Sequence, residues 1–218
     1  VHPFHERLAR VGLAAADRYG FALAGGYAVQ AAGLLDRPSE DVDLFTAWNR
    51  TDEFDVAVGA VVNAYGGDGL HVAVELQHAG SFARLRVTDP VDGSNAKVEM
   101  GVDWRANDPV RMSIGPVLHP DDAVANKMCA LFGRALARDF IDVDAAAESG
   151  RYSHEDLLWL AHRADNGFEP RVFADALGAI EQLSTTDFAE YGVTGRALDG
   201  LRARFAEWRV KLIDNDQS

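Results

Sequence analysis

The chain is predicted to be α/β (α+β): a mixed sheet flanked by helices, followed by a helical C-terminal region. Three observations carry this. Short apolar and alternating segments, each closed by glycine or an Asp-Pro turn, crowd the first half. Helical periodicity takes over after Pro120. The 218 residues, 48% hydrophobic and 25% charged, have the composition of an ordinary globular protein with a core of its own.

In order, residues 4–18 place Phe4, Leu8, Val11, Leu13 and Ala15 at helical spacing before Tyr19-Gly20 closes the segment. Phe21-Ala22-Leu23-Ala24 reads as a strand, Gly25-Gly26 as a turn, and the residues through Leu35 as a helix. Val42-Asp43-Leu44-Phe45 is a second strand, and residues 52–65 form a helix ended by Gly66-Gly67. Strands are expected at 70–78, 81–88 and 96–104. Helices are expected at 121–136, 153–164, 170–183 and 194–213, with Ser153 and Thr194 as N-caps. The expected division is 1–119 for the core and 120–218 for a helical region that completes the active-site cleft.

Net charge is −13, from 21 Lys+Arg against 34 Asp+Glu, so any polyanionic partner needs a local cationic patch. The one cysteine, Cys129, excludes an intramolecular disulfide and suits a reducing cytoplasm, the expected location. No apolar run reaches the length of a membrane span. The histidines lack zinc-ligand spacing, and Gly66-Gly67-Asp68-Gly69 reads as a turn. The cluster Arg202, Arg204, Arg209 and Lys211 reads as a solvated helix face.

The chemistry concentrates between Gly25 and Asp43. On a strand, Asp41 and Asp43 project to one face and Val42 and Leu44 to the other. Two carboxylates so close repel each other, and a divalent cation such as Mg²⁺ (or Mn²⁺) relieves that repulsion. Gly25 and Gly26 let backbone N–H groups approach a phosphate, and Ser39 adds a hydroxyl. A third acid is expected on a neighbouring strand, where Val98, Met100, Val102 and Trp104 form the apolar face and Lys97, Glu99 and Asp103 the other. Glu99 and Asp103 lie ~13 Å apart along a strand, so only one joins the cluster, and the mid-strand Glu99 is preferred. An ordinary exposed face with a Lys97–Glu99 pair is the plain alternative. Further on, Lys127, Arg134 and Arg138 fall within ~40° of one another on a continuous helix, a cationic stripe suited to a triphosphate. On that helix Asp139 falls in the apolar stripe, so it is paired, catalytic or past a helix break.

Gly25-Gly26-x-Ala28, Arg37 with Ser39-Glu40-Asp41-Val42-Asp43, and Asn126-Lys127, Ala130-Leu131, Arg134 and Arg138-Asp139-Phe140-x-Asp142 resemble the AbiEii family. These are nucleotidyltransferase toxins of bacterial toxin–antitoxin and abortive-infection systems, and they include the mycobacterial MenT toxins. The resemblance spans residues from about 20 to 145 and implies the nucleotidyltransferase fold of the polymerase-beta-like superfamily. It implies metal binding by Asp41 and Asp43 and an NTP triphosphate lined by Gly25, Gly26 and Ser39. It implies phosphate binding by Lys127 and an essential acid at Asp139, or at Asp142 given the short spacing from Lys127. The expected activity moves an NMP from an NTP to an acceptor, a tRNA 3′ end by resemblance, with Glu99 as third metal ligand or base and Lys127 and Arg134 on the β,γ-phosphates. A cognate antitoxin is the implied protein partner. The alternatives are a small hydroxylated acceptor such as an aminoglycoside, which the acidic composition favours, and an inactive nucleotide-binding module.

Overall fold

The computed structural model describes residues 2–35, 37 and 39–215. Val1, Pro38 of the Arg37–Asp43 motif and residues 216–218 of the polar tail lie outside the described residues. The chain divides into two compact units, one of residues 1–32 and 38–120, the other of 33–37 and 121–218.

The first unit opens with α1 (Pro3–Ala16), its His2 ring capping the Phe4 N–H. Strand β1 (Ala22–Leu23) leads into α2 (Gly25–Ala31), shorter than the helix to Leu35 expected from the sequence. Strand β2 (Asp41–Ala47) precedes a 3₁₀ segment and α3 (Phe54–Gly67). Then come β3 (His71–His78), β4 (Phe82–Thr88) and β5 (Asn95–Asp103), each within a residue or so of its expected place. Two short strands, β6 (Val110–Met112) and β7 (Gly115–Val117), add to those expected from the sequence. They are three residues each, and β6 is exposed throughout, so neither carries an alternating signal.

These strands form one mixed sheet in the order β3-β4-β5-β2-β1-β7-β6, with β2 parallel to β5, β1 parallel to β7 and the other pairs antiparallel. One face is buried by alternation: Val42, Leu44, Leu85, Val98 and Met100 are fully buried beneath α1 and α3. The helices approach closely at Gly12, where an added Cβ would sit 2.6 Å from Tyr65 Oη, which donates to the Leu8 carbonyl at 2.9 Å. The opposite face of β2, β5 and β4 stays partly open, and it carries the polar residues.

The second unit is helical: α4 (Pro120–Arg134, its first residue belonging to the first unit), α5 (Ala137–Glu148), α6 (His154–Ala164), α7 (Pro170–Gly178), α8 (Thr185–Ala189) and α9 (Gly195–Asn215). Phe140, Phe168, Phe173, Phe188, Phe205 and Trp208 form its aromatic core. The Ser153 cap forms, its hydroxyl accepting from the Asp156 N–H at 3.1 Å. Helix α5 is a separate element that periodicity does not announce, because the chain turns at Ala135, a non-glycine residue with φ of 47°. The C-terminal basic residues are largely engaged: Arg204 forks onto Asp144, Lys211 pairs with Glu207, and Arg202 donates to the Leu183 carbonyl.

Candidate active site

Strand β2 places Asp41 and Asp43 on the open face, as two-residue alternation requires, while Val42 and Leu44 enter the core. The parallel register sets Asp41 opposite Lys97 and Asp43 opposite Glu99. Carboxylate oxygens of Asp41, Asp43 and Glu99 therefore come within 4.8 Å of one another. Asp103 lies opposite Ala47, four residues along the strand, and is not part of this cluster.

Two cations moderate the acids. Lys97 Nζ lies 3.2 Å from Asp41 Oδ2, and Arg84 Nε donates to Glu99 Oε1 at 2.8 Å. Cross-strand partners thus replace the Lys97–Glu99 pair of the plain alternative, because register matches Lys97 to Asp41. Gly25, with φ of 59°, packs against the cluster, and a Cβ there would overlap the Asp43 carboxylate. The Ala24 N–H donates to the Asp43 carbonyl at 2.8 Å, tying the glycine turn to the acid-bearing strand. Gly26 follows in the first turn of α2, and the Ser39 hydroxyl donates to the Asp41 carbonyl at 3.3 Å.

A histidine–tyrosine pair that no sequence motif signals adjoins this cluster. His5 Nδ1 lies 2.6 Å from Tyr27 Oη, with the two rings edge to face. Burial, then the neighbouring His2, holds the His5 imidazolium below its usual range despite Asp41. Burial, reinforced by the Asp41 charge, pushes the Tyr27 phenol up. Both groups are therefore neutral at pH 7, which fits a phenol donating to an unprotonated ring nitrogen.

Three hard oxygen donors in this space fit a divalent cation such as Mg²⁺ or Mn²⁺, which relieves the repulsion among crowded carboxylates on a partly open face. In the first unit, then, the structure unites Asp41, Asp43, Glu99 and Gly25 and leaves Asp103 aside.

The second unit holds a different ionic cluster. Asp142 is 1% exposed and accepts a fork from Arg37 Nε and Nη2, both at 2.7 Å, while Lys127 Nζ lies 2.9 Å away. Burial alone would raise the Asp142 carboxyl, but the Lys127 charge and the Arg37 bonds outweigh it and hold the group below the ordinary carboxylate range. The arrangement of Lys127, Arg134 and Arg138 along one helix does not form. Helix α4 ends at Arg134, Arg138 rides on α5, and Lys127 is buried against Asp142. Asp139 is fully buried: it accepts a fork from Arg134 at 2.8 and 2.9 Å and takes the Leu136 N–H at 3.2 Å. Of the three readings open for Asp139, the helix break and the pairing both hold, and the break turns this acid into a capping residue.

Comparisons with known proteins identify the family and the fold. The model of the AbiEii family, described as nucleotidyl transferase AbiEii toxin of a type IV toxin–antitoxin system, matches residues 8–212. No curated protein matches the chain at a significant level. Among solved structures, JHP933 from Helicobacter pylori superposes with a TM-score of 0.58 at 18% identity, covering 98% of this chain and 94% of that one. A candidate nucleotidyltransferase from H. pylori gives 0.58 at 19% identity, covering 96% and 92%. At these identities the two structures speak for the fold alone. Among the described residues no helix is long and apolar enough to cross a membrane.

Proposed function

Because the chain belongs to the AbiEii nucleotidyltransferase toxin family, we propose that it transfers an NMP from an NTP to a tRNA 3′ end, using a divalent metal held by Asp41, Asp43 and Glu99. The observation that carries this is the convergence of those three carboxylates from two adjacent strands against the Gly25 turn. A bound divalent ion would supply Lewis-acid stabilisation of the attacking and leaving oxygens. The chain's own residues do the rest. Gly25 and Gly26 bring backbone N–H groups to the triphosphate, and Ser39 stands on the loop that leads into Asp41. The acceptor hydroxyl oxygen bonds to the α-phosphorus, the bond to the β-bridging oxygen breaks, and pyrophosphate leaves. Glu99 serves either as the third metal ligand or as the base that takes the hydroxyl proton, with Asp41 and Asp43 holding the ion in both cases.

On the resemblance of the Asn126–Asp142 segment we also propose Lys127 and Arg134 on phosphate oxygens and Asp139 as an essential acid. Asp142, which holds Lys127, is a further candidate for the essential late acid, and substitution of each residue tests its role separately. An antitoxin is the partner that membership of a toxin–antitoxin family implies. A second reading keeps the chemistry but gives it a small cationic hydroxylated acceptor, and the net charge of −13 favours it.

The test is incubation of the protein with Mg²⁺, total tRNA and each α-³²P-labelled NTP in turn. Label is expected on the RNA band with wild type, reduced at least ~10³-fold in Asp41→Ala/Asp43→Ala, whose melting temperature should not fall. Full transfer by the double variant would overturn the proposal. Label on an aminoglycoside but not on RNA would select the second reading.

A further inference from the structure

The acceptor of an acidic transferase needs a local grip, and the open face of the sheet offers one. On β4, alternation puts Phe82, Arg84 and Arg86 on the same side, while Ala83, Leu85 and Val87 are fully buried on the other. The register then lines up two rows across three adjacent strands: Arg84, Glu99, Asp43 and Arg86, Lys97, Asp41. The side chains of Arg84 and Arg86 are each 39% exposed and that of Lys97 is 28% exposed. The Arg84 guanidinium lies 5.8 Å from the centre of the Phe82 ring, and the exposed His78 ring on β3 lies 6.4 Å from Phe82.

We propose that this face is a track for a single-stranded RNA end, with Arg84, Arg86 and Lys97 contacting phosphates and Phe82 with His78 stacking a base. The inference rests on the nucleotidyl-transfer reading and names the surface that would deliver the acceptor to the triad. Arginines interleaved with aromatic rings on an open sheet suit unstacked bases and their phosphates. From β2 to β3 the face spans three strand spacings, about 14 Å, longer than one small hydroxylated acceptor needs.

The three cations now sit against Glu99, Glu75 and Asp41. Two of those carboxylates belong to the proposed metal triad. When their charge is taken up by a divalent ion, Arg84 and Lys97 are left beside a cation and turn to other anions. Partly exposed ion pairs exchange partners at little cost. The track is thus expected to bind RNA better with Mg²⁺ than without it.

The experiment is fluorescence anisotropy of the full chain with a short labelled single-stranded RNA bearing a free 3′-hydroxyl, titrated in Mg²⁺ over a range of KCl. Arg84→Ala/Arg86→Ala should weaken binding tenfold or more. It should also flatten the slope of log K against log[salt] by about 1.4, at ~0.7 for each phosphate of a single strand that is no longer neutralised. Phe82→Leu should weaken binding several-fold with the slope unchanged. Loss of Arg84 leaves Glu99 unpartnered, so Arg86→Gln alone, expected to change the slope by about 0.7, decides the matter if the double variant does not fold. Unchanged affinity and slope in Arg86→Gln and Phe82→Leu, or wild type that does not bind the RNA, would overturn the track. The transferase reading would survive that result if label still moved from NTP to a small acceptor. It would fall only if Asp41→Ala/Asp43→Ala kept full transfer.

Discussion

Two ionic clusters, one in each unit, show opposite ways of handling buried or half-buried negative charge. In the first unit three carboxylates of Asp41, Asp43 and Glu99 share one partly open face with two partly exposed cations. In the second, one carboxylate, Asp142, is sealed from solvent between Arg37 and Lys127. The sealed carboxylate has its counter-charges in place, and its two cations exceed it by one charge, which is compatible with the phosphate role proposed for Lys127. The open cluster crowds three acids on a face exposed enough to receive a cation. A buried acid needs compensation on the spot, whereas acids crowded on an accessible face can take it from a bound ion.

The sharpest way to break this contrast is to remove the Asp142 charge. Asp142→Asn should destabilise the protein by about 3–5 kcal/mol, because it leaves Arg37 and Lys127 buried without their anion. Denaturant unfolding measures it, and a loss within ~0.5 kcal/mol would mean the cluster is not structural. At the open cluster the expectation is reversed. Gly25→Ala drives a methyl into the Asp43 carboxylate at a positive φ, so transfer should fall roughly 10²-fold if a displaced carboxylate can no longer complete the site. Stability should fall by only about 1–3 kcal/mol. Kinetics beside a thermal melt separate the two, and wild-type kcat in a folded Gly25→Ala protein would detach the glycine from the site.

The smallest effect concerns pH. The Asp142 carboxyl is depressed in the folded state, so its contribution is fully present above the unfolded value of about 3.9 and is lost as pH falls through the lower folded value. The melting-temperature gap between wild type and Asp142→Asn should therefore stay constant from pH 7 to 5 and narrow below about pH 4. A gap that persists unchanged to pH 3 would contradict the assignment.

Much of the open cluster is legible in the amino-acid sequence. Alternation alone puts Asp41 and Asp43 on one face, and strand rise alone forbids Glu99 and Asp103 from serving together. Position along the strand favours Glu99, and the register opposite Asp43 supplies the reason. Alternation in 82–88 likewise marks Arg84 and Arg86 as neighbours on one face, but nothing local says that this face adjoins the acids. The second unit is harder to read. Ala135 takes a positive φ with no glycine to announce it, so helical periodicity runs across the break and aligns Lys127 with Arg138, which the fold then separates.

By itself, then, the sequence determined the strand-rich and helical halves, the faces of β2 and β5 and the family, because these depend on local periodicity and on short motifs. Only the tertiary structure decided the partners. Lys97 meets Asp41 across 56 positions, Arg84 meets Glu99 across 15, and Arg37 meets Asp142 across 105. Such pairings follow from strand register and helix packing. A one-residue slip in register would send the same side chains to the other face, so no local pattern encodes them.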